Sequence, residues 1–194
     1  MNNQTTPQQL KNGESIIVRK ATSEDAQAIE DMHKRATTQT LYNRYYHHFT
    51  HSRKHFEEWI NTPANKGTFL VATPTATPEQ VIGIAQYVVE YDHFVIIAEP
   101  ALLVEDRFQG MGVGSILGET LLHIAQENGV EHFHTYMSGS NNAAISLLNK
   151  SGLKYKSGWE AGMREIVIDL LERQIHPMSE QRVLRRLVEG FQTL

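Results

Sequence analysis

Two long β-rich runs, Val81 to Tyr91 and Phe94 to Val104, lead through a short turn into Gly110, Gly112 and Gly114, and then into an amphipathic helix from Gly112 to Asn128. Strand, glycine-rich bend and helix in that order build a mixed α/β domain in which a strand end meets a helix start. Ile116, Leu117, Leu121, Ile124 and Ala125 carry the helical period, and Asn128-Gly129 ends it. Three glycines within five residues at such a junction serve close backbone approach rather than packing. Their N–H groups, with the positive end of the following helix, form an anion site, so a phosphate-bearing ligand is the physical inference.

The rest of the chain fits around this unit. Residues 1–13 hold Asn, Gln, Thr and Pro with almost nothing to bury, which predicts a loose tail. Ser15 to Arg19 reads as a first strand. Thr22 and Ser23 precede Glu24 and Asp25 at a helix start, and Ala26, Ile29, Met32, His33 and Ala36 continue the helix. A second helical region is predicted from Thr38 to Asn61. Thr68 to Ala72 is a short apolar strand, and the two long runs form a hairpin around Asp92-His93. Pro100 cannot donate to a ladder, so the second run is expected to be bulged or at an edge near Glu99-Pro100. Val130 to Met137 is a strand, Asn141 to Ser151 a helix ended by Gly152, and Leu153 to Lys156 with Gly162 to Leu170 close the sheet. Beyond Pro177, Ser179 to Phe191 is a further helix with an apolar stripe opposite Arg182, Arg185 and Arg186.

At 194 residues the expectation is one domain over residues 14–171, with a separate C-terminal helix at 178–192 packed on it or on a second subunit. A monomer and a homodimer both remain open. A formal charge of -4 gives no electrostatic case for nucleic acid or an anionic membrane. The absence of cysteine removes disulfides, thiolate metal sites and a cysteine nucleophile. No signal-peptide pattern and no apolar run near the ~20 residues of a membrane span are seen, so a soluble cytoplasmic protein is expected.

Two phosphate loops fail on inspection. A Walker loop ends in Gly-Lys-Ser/Thr, which does not occur here, and a dinucleotide fingerprint counted from Gly110 or Gly112 meets Ser115 or Leu117 where its last glycine belongs. Gln109, Gly112 and Gly114 instead resemble the Gln/Arg-x-x-Gly-x-Gly/Ala loop of GNAT acetyltransferases. The stretch from Asn141 to Leu153 resembles that family's Asn-containing helix ending in Gly-Phe, and the element order matches from Ile16 to Leu170. More narrowly, Leu41 to Tyr46, Ala98 to Val104 and Ile166 to Leu170 are similar to segments of bacterial protein-lysine acetyltransferases of the Pat type.

The resemblance implies a GNAT fold: a twisted, mostly antiparallel sheet flanked by helices. It implies acetyl-CoA as cosubstrate and no metal. The amine attacks the acetyl thioester directly, with CoA leaving. The loop Gln109, Gly110, Met111, Gly112, Val113, Gly114 and Ser115 would cradle the pyrophosphate, and Leu102, Leu103 and Val104 would lie along the pantetheine arm. Asn141 or Asn142 matches the family asparagine, with an N-cap role for Asn141 equally open. Tyr42, Arg44 and Tyr46 are expected on one wall of the acceptor groove. Glu99, a carboxylate in an otherwise apolar strand, is the expected general base, ahead of Glu90 and Glu105.

Leu148 stands where many of these enzymes carry an acidic tyrosine, which leaves the general acid open, Tyr155 and Tyr136 being substitutes. The resemblance to Pat-type enzymes implies protein lysine as the acceptor, with a small amine (polyamine, amino sugar or amino-acid derivative) as the alternative. A non-catalytic CoA-binding sensor is the reading from another class. Ten histidines, among them His51/His55 and His132/His134, lack a His-Glu-x-x-His pattern and read as surface imidazoles rather than metal ligands.

Overall fold

The computed structural model describes residues 6–46, 52–92 and 95–171. Its strands are β1 (Gln8–Gln9), β2 (Ser15–Lys20), β3 (Gly67–Pro74), β4 (Gly83–Asp92), β5 (Val95–Val104), β6 (His132–Met137), β7 (Tyr155–Glu160) and β8 (Met163–Asp169). The helices are α1 (Ala26–Arg35), α2 (Thr38–Tyr45), α3 (Arg53–Ile60), α4 (Val113–Glu127) and α5 (Asn142–Ser151). One sheet runs β1-β2-β3-β4-β5-β6-β8-β7, antiparallel throughout except where β5 meets β6. This is the mixed α/β architecture expected from the sequence.

Helix α4 buries Val113, Leu117, Leu121 and Ala125 against one face of the sheet, with Leu70, Ala72, Ala85 and Ala98 beneath. Helices α1 and α3 cover the other face, where Ile29, Met32 and Phe56 pack on Phe69, Val71, Ile84 and Leu103. Each fully buried apolar side chain of this size contributes about 1.5–3 kcal/mol relative to exposure. Among the described residues no helix is long and apolar enough to cross a membrane.

Two sequence expectations change here. The helical region from Thr38 to Asn61 is two helices, since Tyr46 caps α2 in the left-handed conformation (φ 61°) and ends it. The expected loose tail is ordered from Gln8: Gln8 and Gln9 pair with Ile16 and Ser15, and Leu10 is buried in the α4-side core. Main-chain pairing holds this segment, and side-chain composition carries no sign of it. The predicted helix at 178–192, and His93 of the hairpin turn, lie outside the described residues.

The sheet splits at its centre. Strand β5 pairs with β6 only through Ile97–His132 and Ala98–Phe133. Its other ladder, to β4, continues unbroken to Val104–Gly83, and β6 continues with β8 to Met137–Arg164. From Glu99 onward β5 therefore has one open edge. Pro100 sits on that edge with its register to Tyr87 intact, so the expected break is an edge and not a bulge.

Candidate functional site

The wedge opened by this split is bounded by the open edge of β5, the start of α4 and the C-terminal end of β6. At the α4 end, a short turn at Asp106–Phe108 leads into Gly110 (φ 74°) and Gly112 (φ 109°), both left-handed, a region that costs a non-glycine residue about 1–2 kcal/mol. A Cβ at either glycine would meet no protein atom within 4 Å. Gly112 is the N-cap of α4, so the N–H groups of Val113, Gly114 and Ser115 have no partner within the helix. These are donors with room in front of them, which suits a phosphate. Gly114 differs: its Cβ would make ordinary contacts of 3.7–3.8 Å with Leu102, Leu147 and Val104, so alanine fits there.

The loop is flanked by several hydrogen bonds. Glu105 is 1% exposed and accepts from Arg107 Nε at 2.6 Å and Arg35 Nε at 3.0 Å, while Arg35 also donates to the Val81 carbonyl. Gln109 donates to the Val104 carbonyl at 3.0 Å, and Lys11 N–H to the Met111 carbonyl at 3.0 Å. Asp106 reaches away from the loop to α2, accepting from Thr37 N (2.9 Å), Thr37 Oγ1 (2.8 Å) and Thr40 Oγ1 (2.8 Å). Burial alone would raise the Asp106 pKa, but these bonds outweigh it and hold the carboxyl below the usual range. Leu103 is buried under α1 and α3, whereas Leu102 and Val104 pack toward α4. What all three share toward the wedge is main chain on an open edge.

On the α1–α3 side of the wedge stands α2. Tyr42 and Tyr46 are exposed and edge-on, with centroids 6.5 Å apart. The Tyr46 hydroxyl donates to the Tyr136 carbonyl of β6 at 2.9 Å, bridging the split. Arg44 lies over the Tyr45 ring at 4.7 Å, and its Nε is buried with no hydrogen-bond partner among the described residues. Burial lowers the Arg44 pKa, opposed in part by Tyr45 and by the charge of Glu99. Burial raises that of Tyr46, and Glu99 adds to the rise.

Glu99 is exposed, so the argument from an expensive buried carboxylate does not apply to it; the buried glutamate at this strand end is Glu105, paired by two arginines. Glu99 stands instead at the first residue past the split, electrostatically coupled to Arg44 and Tyr46. Asn141 is the N-cap of α5, its Oδ1 accepting from Ala144 N at 3.2 Å, while Asn142 is exposed in the first turn. The Tyr155 hydroxyl donates to Asn149 at 2.8 Å. That of Tyr136 donates to Glu160 at 2.6 Å, a bond that raises its pKa to about 12. Leu148 packs on the core.

No group of three or more metal-ligating side chains occurs among the described residues; His134 bonds Glu165 at 2.8 Å, and His51 lies outside them. Sequence reasoning missed the Asp106–Thr37–Thr40 cluster and the Tyr46–Tyr136 bridge, although a Thr-x-x-Thr spacing at a helix start was a legible signal for the first.

A family model described as Acetyltransferase (GNAT) family matches residues 28–153. Among solved structures, the GNAT domain of S. lividans PAT superposes with a TM-score of 0.75 at 24% identity, covering 84% of this chain and 96% of that one. Salmonella typhimurium yncA, solved with its cofactor acetyl-CoA, gives 0.67 at 20%, covering 82% and 96%. A ribosomal-protein-alanine N-acetyltransferase from Brucella melitensis gives 0.62 at 21%, covering 78% and 97%. At these identities the structural likenesses establish the fold.

Proposed function

The chain belongs to the GNAT acetyltransferase family, and from that premise we propose that it acetylates the side-chain amine of lysine in protein acceptors. The protein is an acetyl-CoA-dependent N-acetyltransferase, and its residues fit that cosubstrate: two left-handed glycines and the N–H groups at the start of α4, which have no partner within the helix, suit its phosphates. The open edge of β5 suits an arm carrying amides. When bound, acetyl-CoA supplies an activated acetyl thioester.

What the chain must do is free the acceptor's lone pair. A lysine amine with pKa about 10.4 costs roughly 4.6 kcal/mol to deprotonate at pH 7. In this reading Glu99 takes that proton, directly or through one water, and Arg44 and Tyr46 orient the acceptor beside it. The observation that carries the proposal is the exposure of Glu99 at the split, with exposed Tyr42 and Tyr46 alongside, which leaves the carboxylate open to an acceptor borne on another protein. The resemblance of Leu41 to Tyr46 and Ala98 to Val104 to segments of Pat-type protein-lysine acetyltransferases points to the same acceptor class.

The buried Nε of Arg44, which has no hydrogen-bond partner among the described residues, favours a second reading, a small amine that also carries a carboxylate. Thiol release from acetyl-CoA, measured against a lysine-bearing protein mixture and a panel of amino acids and polyamines, separates the two. Mass-spectrometric acetyl-lysine with little small-amine turnover is expected; turnover confined to small amines overturns the lysine reading.

A further inference from the structure

Helix α2 has eight residues and none of them is fully buried. Helices shorter than about 12–15 residues are marginal on their own, so tertiary tethers decide whether α2 is ordered. Its C-terminal tether is the Tyr46 hydroxyl on the Tyr136 carbonyl. Its N-terminal tether comes from the cofactor loop, 66–69 residues away in sequence. Asp106 accepts from the N-cap Thr37 twice and from Thr40 once. Thr40 Oγ1 also accepts from Gln109 Nε2 at 3.2 Å, and Gln109 immediately precedes Gly110.

We propose that Thr40 is a positioning residue for the acceptor, joining α2 through Asp106 and Gln109 to the cofactor loop, so that acetyl-CoA binding orders the acceptor wall. The proposal rests on α2 being that wall. Phosphates held at the N–H groups beyond Gly110 restrict the loop; Gln109 and Asp106 are then held in place, and with them the first turn of α2. One turn farther on, α2 carries Arg44 and Tyr46. A hydroxyl that donates to Asp106 while accepting from Gln109 is the only part of α2 that touches both, among the described residues.

Hydrogen exchange of the full chain, with and without saturating acetyl-CoA, tests this without knowledge of the acceptor. In the wild type, exchange should slow at residues 109–115 and also at 41–46. Thr40→Val should keep the slowing at 109–115 and lose at least about fivefold of that at 41–46, whereas Thr40→Ser should keep both. With an amine acceptor, Thr40→Val should raise the acceptor KM about fivefold and leave the acetyl-CoA KM within twofold. Wild-type slowing at 109–115 without any at 41–46 overturns the coupling alone, whatever the variants do. No slowing at 109–115 overturns the cofactor site and the coupling with it. Slowing at 41–46 that survives in Thr40→Val removes Thr40 from the role.

Discussion

The hydroxyl of Tyr46 donates to the main-chain carbonyl of Tyr136 across the split between β5 and β6, at 2.9 Å. Tyr46 makes this bond from a left-handed backbone, φ 61°, uncommon for a non-glycine residue. Tyr46→Phe deletes the bond and keeps the ring. It should raise the acceptor KM about three- to tenfold, in line with about 1 kcal/mol for a net hydrogen bond, and leave acetyl-CoA affinity unchanged by calorimetry. Arg44→Ala should act in the same direction and more strongly. Parallel losses for both ligands would mean that the wall has simply come apart.

Glu99→Gln should keep the fold and acetyl-CoA binding while lowering kcat/KM by at least about tenfold at pH 7. The defect should shrink as pH rises toward the amine's own pKa, because a free lone pair needs no base. Since Glu99 is exposed, the change in stability should stay within the range of ordinary surface substitutions, about 0.5 kcal/mol. Undiminished turnover at pH 7 would take the role from Glu99.

Glu105 supplies the contrast. Removing this buried carboxylate from between Arg35 and Arg107 should cost about 2–3 kcal/mol, the worth of its charged hydrogen bonds, since the arginines left behind are partly exposed and turn to water. For a chain of this size Glu105→Ala should then melt roughly 5–10 °C lower. Calorimetry of the two glutamate variants side by side checks this; similar Tm values would contradict the assigned burial.

Gly112→Ala places a Cβ where no protein atom lies within 4 Å but at φ 109°. Gly129→Ala, with φ 76° and equal room at the far end of α4, is its control for backbone strain. Both should lose about 1–2 kcal/mol of stability, and only Gly112→Ala should weaken acetyl-CoA, by about tenfold or more. Equal affinities in titration calorimetry would remove the phosphate role from Gly112.

His33 is buried, with Nδ1 on the Ile29 carbonyl at 2.8 Å and Nε2 on the Tyr45 hydroxyl at 2.7 Å. Burial lowers its pKa from 6.5 to about 4, the Ile29 bond opposing and Arg44 assisting. The unfolded chain therefore takes up a proton below pH 6.5 that the folded protein refuses. Stability should be full above that pH, fall by roughly 3 kcal/mol as pH drops to about 4, and level off below. Asp25 acts lower: burial would raise its pKa, but Arg19 holds it below 3.8, so its contribution is lost only beneath that value. Urea unfolding between pH 7 and 4.5 should show a steeper decline for wild type than for His33→Gln. Matching slopes would dissociate His33 from the acid limb.

The sequence by itself determined most of the elements and the glycine loop that leads into α4. Glycine spacing at 110–114, the period of α4 and the capping asparagine at 141 are local properties, because each reports how a residue lies relative to its own helix or strand. It named Tyr42, Arg44 and Tyr46 as neighbours on one helix, but placed that helix across a break at Tyr46 that a single left-handed residue creates. Tertiary structure alone decided that β5 leaves β6 after Ala98, and that Gln8 pairs as a strand. It also distinguished Glu99 from Glu105. In sequence the two are alike, glutamates at either end of one apolar strand run; in space Arg35 arrives from 70 residues away to neutralise Glu105, whereas Glu99 is exposed. The same holds for α2, tied by Asp106 and Tyr136 through bonds that span 69 and 90 residues. Side-chain pattern records which face of an element seeks the core, whereas a hydrogen bond or ion pair depends on which distant group the folded chain brings within 3 Å.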